Sequence, residues 1–164
     1  MNGISTMLWF DGQALSAARF YTEIFPNSVI HGGEDFPDVE YPENAKADPG
    51  TVMTVSFEID GRPFTALNGG PMYTFTEAIS FVVSCASQDE VDYFWDRLTD
   101  GGGEPGRCGW LKDRFGVSWQ VVPTALFEIT SGPDAEGCQR AWQAMLSMEK
   151  MDIAALQRAY DGVE

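Results

Sequence analysis

The sequence predicts an α+β fold of two consecutive βαβββ modules followed by a helical extension. Two observations carry the modules. The order strand, helix, three strands reads once over residues 4–70 and again over 77–123. The third observation is that helical periodicity returns without strands over residues 133–161. The expected organisation is a two-module domain over residues 1–128 and a helical appendage over 133–161. At 164 residues the chain can bury one core, or two small modules that share one.

Ile4 to Phe10 is a short apolar strand, ended by Asp11-Gly12. Ala14, Ala17, Ala18, Tyr21, Ile24 and Phe25 then share one face at helical spacing, and Pro26-Asn27 stops that helix. Ser28 to Gly33 reads as a second strand. An acidic connection follows over residues 34–48, where Glu34, Asp35, Asp38, Glu40 and Glu43 stand among prolines, and it reads as a charged lid. From Thr51 to Asp60, Met53, Val55, Phe57 and Ile59 alternate with polar residues, as in a half-buried strand. Asp60-Gly61 is a hairpin signal, because the tight turn needs positive φ. Phe64 to Asn68 returns.

In the second module Ile79, Phe81, Val83 and Cys85 alternate with Ser80 and Ser84. Ser87 and Glu90 form a capping-box signature, and Val91, Phe94, Trp95 and Leu98 are the buried stripe that follows. Gly101 to Gly103 ends the helix. Two short strands are expected within Glu104 to Lys112, a turn over Asp113 to Gly116, and a last strand over Val117 to Val122. There Val117, Trp119 and Val121 oppose Ser118 and Gln120. In the tail, Cys138, Ala141, Trp142, Met145 and Leu146 mark one amphipathic helix. Ile153, Leu156 and Tyr160 mark another, capped by Asp152.

Composition excludes several functions. Ten Lys and Arg against 25 Asp and Glu give a net charge of −15, so no basic footprint exists for nucleic acid. The same charge disfavours an anionic membrane surface, and no apolar run reaches the ~18 residues of a membrane helix. Met1 to Thr6 carries no secretion-signal pattern, and Cys85, Cys108 and Cys138 form neither a CxxC pair nor a zinc cluster. Three reduced thiols in a cytoplasmic protein are expected.

Several separated runs resemble one family. They include Thr6-Met7-Leu8-Trp9-Phe10-Asp11-Gly12-Gln13-Ala14, Phe25-Pro26-Asn27-Ser28 and Leu67-Asn68-Gly69-Gly70-Pro71. Glu77-Ala78-Ile79-Ser80-Phe81, Cys108-Gly109-Trp110-Leu111-Lys112-Asp113 and Trp119-Gln120-Val121-Val122-Pro123 continue the match. They resemble the PhnB-like, or 3-demethylubiquinone-9 3-methyltransferase domain, proteins. That family is similar to the glyoxalase, bleomycin-resistance and extradiol-dioxygenase group, the vicinal oxygen chelate superfamily. The resemblance implies paired βαβββ modules whose mixed sheets curl around a ligand cavity, commonly in a homodimer.

In catalytic relatives, the resemblance further implies a divalent metal held by His, Glu or Gln near the ends of the first and fourth strands. Carried onto this sequence, those positions fall near Thr6, at Ala66 or Leu67, at Ala78 or Ser80, and at Gln120. A catalytic metal needs about three firm protein ligands, and Gln120 alone qualifies here. Neither a metal nor another cofactor is expected. A glycine-rich nucleotide loop is also missing, since Asp11-Gly12-Gln13 has one glycine and Gly101-Gly102-Gly103 follows a helix.

The leading expectation is therefore a protein that binds a small apolar or aromatic molecule. The alternatives are a methyltransferase using S-adenosylmethionine, a metal-dependent lyase or dioxygenase, and a dimeric structural or interaction protein whose half-barrels are filled by side chains. Gln120, Asn68 and Ser80 are the candidate neutral ligand contacts. Trp9 and Trp110, beside polar turn residues, are the candidate aromatic walls. Lys112 can neutralise an anionic group, while Asp113 reads as the first residue of a turn. His31, the only histidine, and Glu58 read as surface residues, with acid–base chemistry as the alternative.

Overall fold

The computed structural model describes residues 3–39, 41 and 50–163. The chain divides into two compact units, Met1–Phe75 and Thr76–Glu164. The first unit contains β1 (Thr6–Phe10), α1 (Ala14–Ile24), β2 (Val29–Asp35), β3 (Val52–Ile59) and β4 (Arg62–Asn68). Its sheet order is β1-β4-β3-β2, with β1 parallel to β4 and the other pairs antiparallel. The second unit contains β5 (Phe81–Cys85), α2 (Gln88–Thr99), β6 (Glu104–Pro105), β7 (Trp110–Lys112) and β8 (Ser118–Pro123). Its order, β5-β8-β7-β6, repeats the first, again with one parallel pair, β5 and β8. Both modules expected from the sequence are present. Three helices follow: α3 (Ala125–Thr130), α4 (Ala135–Ser147) and α5 (Ile153–Asp161).

Each sheet is covered on one face by its own helix. In the first unit Ala14, Ala17 and Ala18 of α1 are wholly buried, so the helix backbone comes close to the strands. Tyr21 stacks on Phe57, and Phe57 stacks on Phe64. Burying a side chain of that size contributes about 2–3 kcal/mol. In the second unit Val91, Trp95 and Leu98 of α2 are buried, as are Leu111, Trp119, Val121 and Cys85 of the sheet. Period-two alternation then fixes the opposite faces. In the first sheet that face carries Met7, Trp9, Thr65, Leu67, Ser56 and Glu58. In the second it carries Val82, Ser84, Trp110, Lys112, Ser118 and Gln120.

Local chemistry explains the joints. Asp60 and Gly61 have φ of 48° and 71°, the two positive values of the expected hairpin turn. That turn is tied to the α1–β2 link, because the Gly61 N–H donates to the Asn27 carbonyl and the Asp60 N–H to Ser28 Oγ. At α2, Ser87 Oγ accepts from the Glu90 N–H at 3.2 Å, while the Glu90 carboxylate accepts from the Ala86 N–H. At α5, Asp152 caps the Ala155 N–H at 2.8 Å.

Four details differ from the sequence reading. Strand β2 continues through Glu34 and Asp35, so the acidic connection starts later. Pairing with Thr54 and Val52 holds these two acids in the sheet, their charges outward. Glu40 and Glu43 of the supposed lid lie outside the described residues. Strand β5 starts at Phe81 rather than Ile79, which is exposed. Helix α3 was not anticipated, being six residues with no side-chain cap. Finally, only Ala141 and Met145 of the expected α4 stripe are buried, whereas Trp142 and Leu146 are 48% and 57% exposed.

The thiols divide by environment. Burial, reinforced by the Glu90 charge, pushes the Cys85 thiol up to about 11, while Cys108 and Cys138 are only partly buried. Thiolate is the reactive form, so Cys85 stays inert at neutral pH. A thiol reagent at pH 8 is expected to label at most Cys108 and Cys138 in the folded protein, and all three after denaturation. Mass mapping of fast labelling at Cys85 would contradict its burial. The linkage sign follows. Between about pH 8.5, where an unfolded thiol ionises, and pH 11, the unfolded chain binds fewer protons, so stability falls as pH rises.

Candidate functional site

Four of the six sequence candidates share one surface. Gln120 lies on β8 opposite Trp110 of β7, and Lys112 lies opposite Ser118. Gln120, Trp110 and Lys112 project from the sheet face turned away from α2, and Ser80, the fourth candidate, bonds to Gln120. The Gln120 Nε2 donates to Ser80 Oγ at 2.9 Å, which ties the amide to the residue before β5. Lys112 Nζ pairs with the Glu77 carboxylate at 2.5 Å. This hydrogen bond raises the Lys112 pKa and lowers that of Glu77, so the pair is ionised throughout the neutral range.

Ser118 is the residue that sequence reasoning did not select. It is 2% exposed, and its hydroxyl has no hydrogen-bond partner among the described residues. A buried hydroxyl without a partner costs about 1–3 kcal/mol. Alternation places Ser118 on the same side of β8 as Gln120, with the hydroxyl enclosed. Alternation in Val117–Val122 gave Ser118 the right face. Sequence could not show that the hydroxyl is buried and unpaired.

The two remaining candidates lie in the first unit. Trp9 projects from the face of the first sheet turned away from α1. Its indole Nε1 donates to the Gly70 carbonyl at 2.8 Å, and its ring meets Tyr73 edge-on at 5.0 Å. Gly69 makes room for it, since a Cβ at that position would lie 2.2 Å from the Trp9 ring. Asn68 is on the opposite side. Its Oδ1 accepts from the Ala14 N–H at 2.9 Å and its Nδ2 donates to the Val52 carbonyl at 2.9 Å. Asn68 thus satisfies a free N–H at the start of α1, where Gln13 makes no side-chain cap. Its amide joins helix to sheet.

The polar residues outside the candidate set also settle into place. Asp113 is 2% exposed and organises the β7–β8 turn. It accepts from the Phe115 and Val117 N–H groups at 2.8 and 3.0 Å, and from Trp119 Nε1 at 2.9 Å. His31 Nε2 and Glu58 Oε1 are 3.0 Å apart on neighbouring strands, both partly exposed.

The strand-end positions that the sequence resemblance names for a metal can be tested against these faces. Thr6 and Ala66 lie on the helix-covered side of the first sheet, and Leu67 on the other side offers only carbon. Ser80 and Gln120 bond to each other. No group of three His, Cys, Asp or Glu is arranged to hold a metal among the described residues. This donor set does not fit a resident divalent ion.

The sequence profile of the 3-demethylubiquinone-9 3-methyltransferase family matches residues 2–122. The chain belongs to this family. The PhnB protein of Bacillus cereus is 31% identical, with a TM-score of 0.64, over 75% of this chain and 100% of that one. A Pseudomonas aeruginosa protein is 20% identical, with a TM-score of 0.59, over 75% and 98% of the two chains. A fosfomycin-resistance protein of Listeria monocytogenes is 16% identical, with a TM-score of 0.47, over 74% and 92%. No curated protein matches the chain. The PhnB-like assignment agrees with the resemblance read from the sequence. The family match ends within β8, so α3, α4 and α5 lie beyond it.

Proposed function

We propose that this PhnB-like protein binds a small organic molecule on the helix-free face of its second sheet. The observation that carries the reading is the convergence of half-buried Trp110, Lys112 and Gln120 on one sheet face, with the Gln120 amide tied to Ser80. Trp110 supplies an aromatic wall, and Ser80 holds Gln120. Lys112, paired with Glu77, marks the edge where a ligand carboxylate or phenolate can be met. An apolar or aromatic body with one or two polar groups suits this set. Trp9 offers a second aromatic surface in the first unit.

The test uses 2-naphthol and 2-naphthoate as probes, followed by tryptophan fluorescence and heteronuclear NMR. At least one probe is expected to saturate below 1 mM, with shifts centred on Trp110, Ser118 and Gln120. Gln120→Ala and Trp110→Ala should each weaken it about tenfold, equivalent to about 1.4 kcal/mol. The proposal fails if neither probe saturates, or if both variants bind as tightly as the parent.

A second reading, methyl transfer, is favoured by the description of the family itself. It requires a nucleophile held in line with a methyl donor, which is chiefly positioning. Calorimetry with S-adenosylmethionine separates the two readings: saturable binding with turnover of a phenolic acceptor favours transfer, and silence at millimolar concentration favours binding alone. Under either reading we place the protein in the cytoplasm as a homodimer. No helix of the described residues is long and apolar enough to cross a membrane. Each unit has a sheet face uncovered by its own helix, and pairing of modules covers such faces.

A further inference from the structure

A groove of about 540 Å³ lies among the C-terminal helices, within the second unit and apart from the sheet face described above. Its lining includes Ala125 and Ile129 of α3, Pro133 of the α3–α4 link, and Ile153 and Ala154 of α5. That size suits a small ligand, and the lining is mostly carbon. The family match ends at residue 122, so every lining residue but Gln88 of α2 belongs to the extension.

Two features select the charge of an occupant. Glu128, exposed on α3, lines the groove, and its carboxylate is in no ion pair among the described residues. Tyr160 also lines it. Its hydroxyl accepts from the Asp134 N–H at 3.2 Å, which anchors the ring. Gly132 makes that placement possible, because a Cβ there would lie 2.5 Å from the Tyr160 oxygen. The neighbouring guanidinium of Arg140 is held by Asp134 and by the Ala159 and Tyr160 carbonyls, so it does not neutralise Glu128. A groove lined by a carboxylate, an aromatic ring and apolar side chains suits an organic cation.

We infer that the C-terminal groove binds an amphiphilic organic cation, its ammonium group held by Glu128 and Tyr160 and its apolar body on Ile129 and Ile153. The probe is benzyltrimethylammonium, with benzyl alcohol and benzoate as neutral and anionic comparators. Binding to the full chain is read from the NMR signals of Ala125, Ile129, Ile153 and Tyr160. The cation should saturate these shifts at millimolar concentration or below, and benzoate should not bind. Glu128→Gln should weaken the cation about fivefold. Ala154→Trp, at an exposed position, should fill the groove and abolish binding without unfolding the protein. Neither variant should alter naphthol or naphthoate binding at the sheet face. Four results overturn the proposal: no saturation, equal binding of benzyl alcohol, insensitivity to Glu128→Gln, or shifts elsewhere. A change in oligomeric mass with Ala154→Trp also overturns it, since a second copy of the chain would then occupy the groove.

Discussion

Replacing Asp113 by Ala is expected to lower the melting temperature by roughly 10 °C, a loss of about 4 kcal/mol for a chain of this size. The carboxylate is buried and accepts from the Phe115 N–H, the Val117 N–H and Trp119 Nε1. Alanine removes the acceptor and leaves these donors facing carbon. Asparagine separates geometry from charge. Its oxygen can still serve the two backbone donors, but its NH2 group then meets the Trp119 indole N–H. Asp113→Asn should therefore cost about half as much. Thermal unfolding of both variants checks the order. If Asp113→Ala melted within 2 °C of the parent, Asp113 would be only an ordinary turn residue.

This residue shows where sequence reasoning stops. The Asp-Arg-Phe-Gly segment identified the turn, and the turn is present, with the Gly116 N–H donating to the Asp113 carbonyl at 2.9 Å. The Trp119 contact was not legible, because it depends on the indole edge folding back across the hairpin. Asn68 makes the same point at longer range. Its position at the end of a strand was readable, but its bond to the Ala14 N–H spans 54 residues and needs the parallel β1–β4 pairing. Helix and strand faces were legible because burial follows local periods. Val55, Phe57 and Ile59 on β3, and Val91, Trp95 and Leu98 on α2, lie on the faces that periodicity assigns.

Period alone was less informative in the tail. It grouped Trp142 and Leu146 with Ala141 and Met145, but the covered stripe of α4 is narrower than its apolar stripe. Packing by α3 and α5 sets that width. A six-residue helix without a side-chain cap leaves little signal in sequence, so α3 was missed and with it the C-terminal groove. At the sheet face, alternation shows that Ser118 and Gln120 share one side of β8, but not what Gln120 bonds to. Gln120 and Ser80 are 40 residues apart and meet only because β5 pairs beside β8.

The attachment of the C-terminal helices to the second sheet gives the other large expected effect. Cys108 and Gly109 donate to the Met148 and Glu149 carbonyls, both at 2.8 Å, joining the chain before β7 to the α4–α5 link. Gly109 also accepts from the Val121 N–H at 2.8 Å. Its φ is +80°, and an added Cβ would lie 2.6 Å from the Val121 carbonyl oxygen. Gly116 has nearly the same backbone, with φ of +85°, but an added Cβ meets nothing within 4 Å. The two glycines therefore separate conformational strain from collision. Gly116→Ala should cost only the strain of positive φ, about 1 kcal/mol. Gly109→Ala adds a collision with main chain that no rotamer relieves, for a total of about 3 kcal/mol. Amide exchange should also quicken at Cys108 and Gly109 in that variant alone, because the collision lifts them away from Met148 and Glu149. Equal destabilisation by the two substitutions would mean that β8 yields readily beside Gly109, and that the C-terminal helices are held chiefly by their apolar contacts instead.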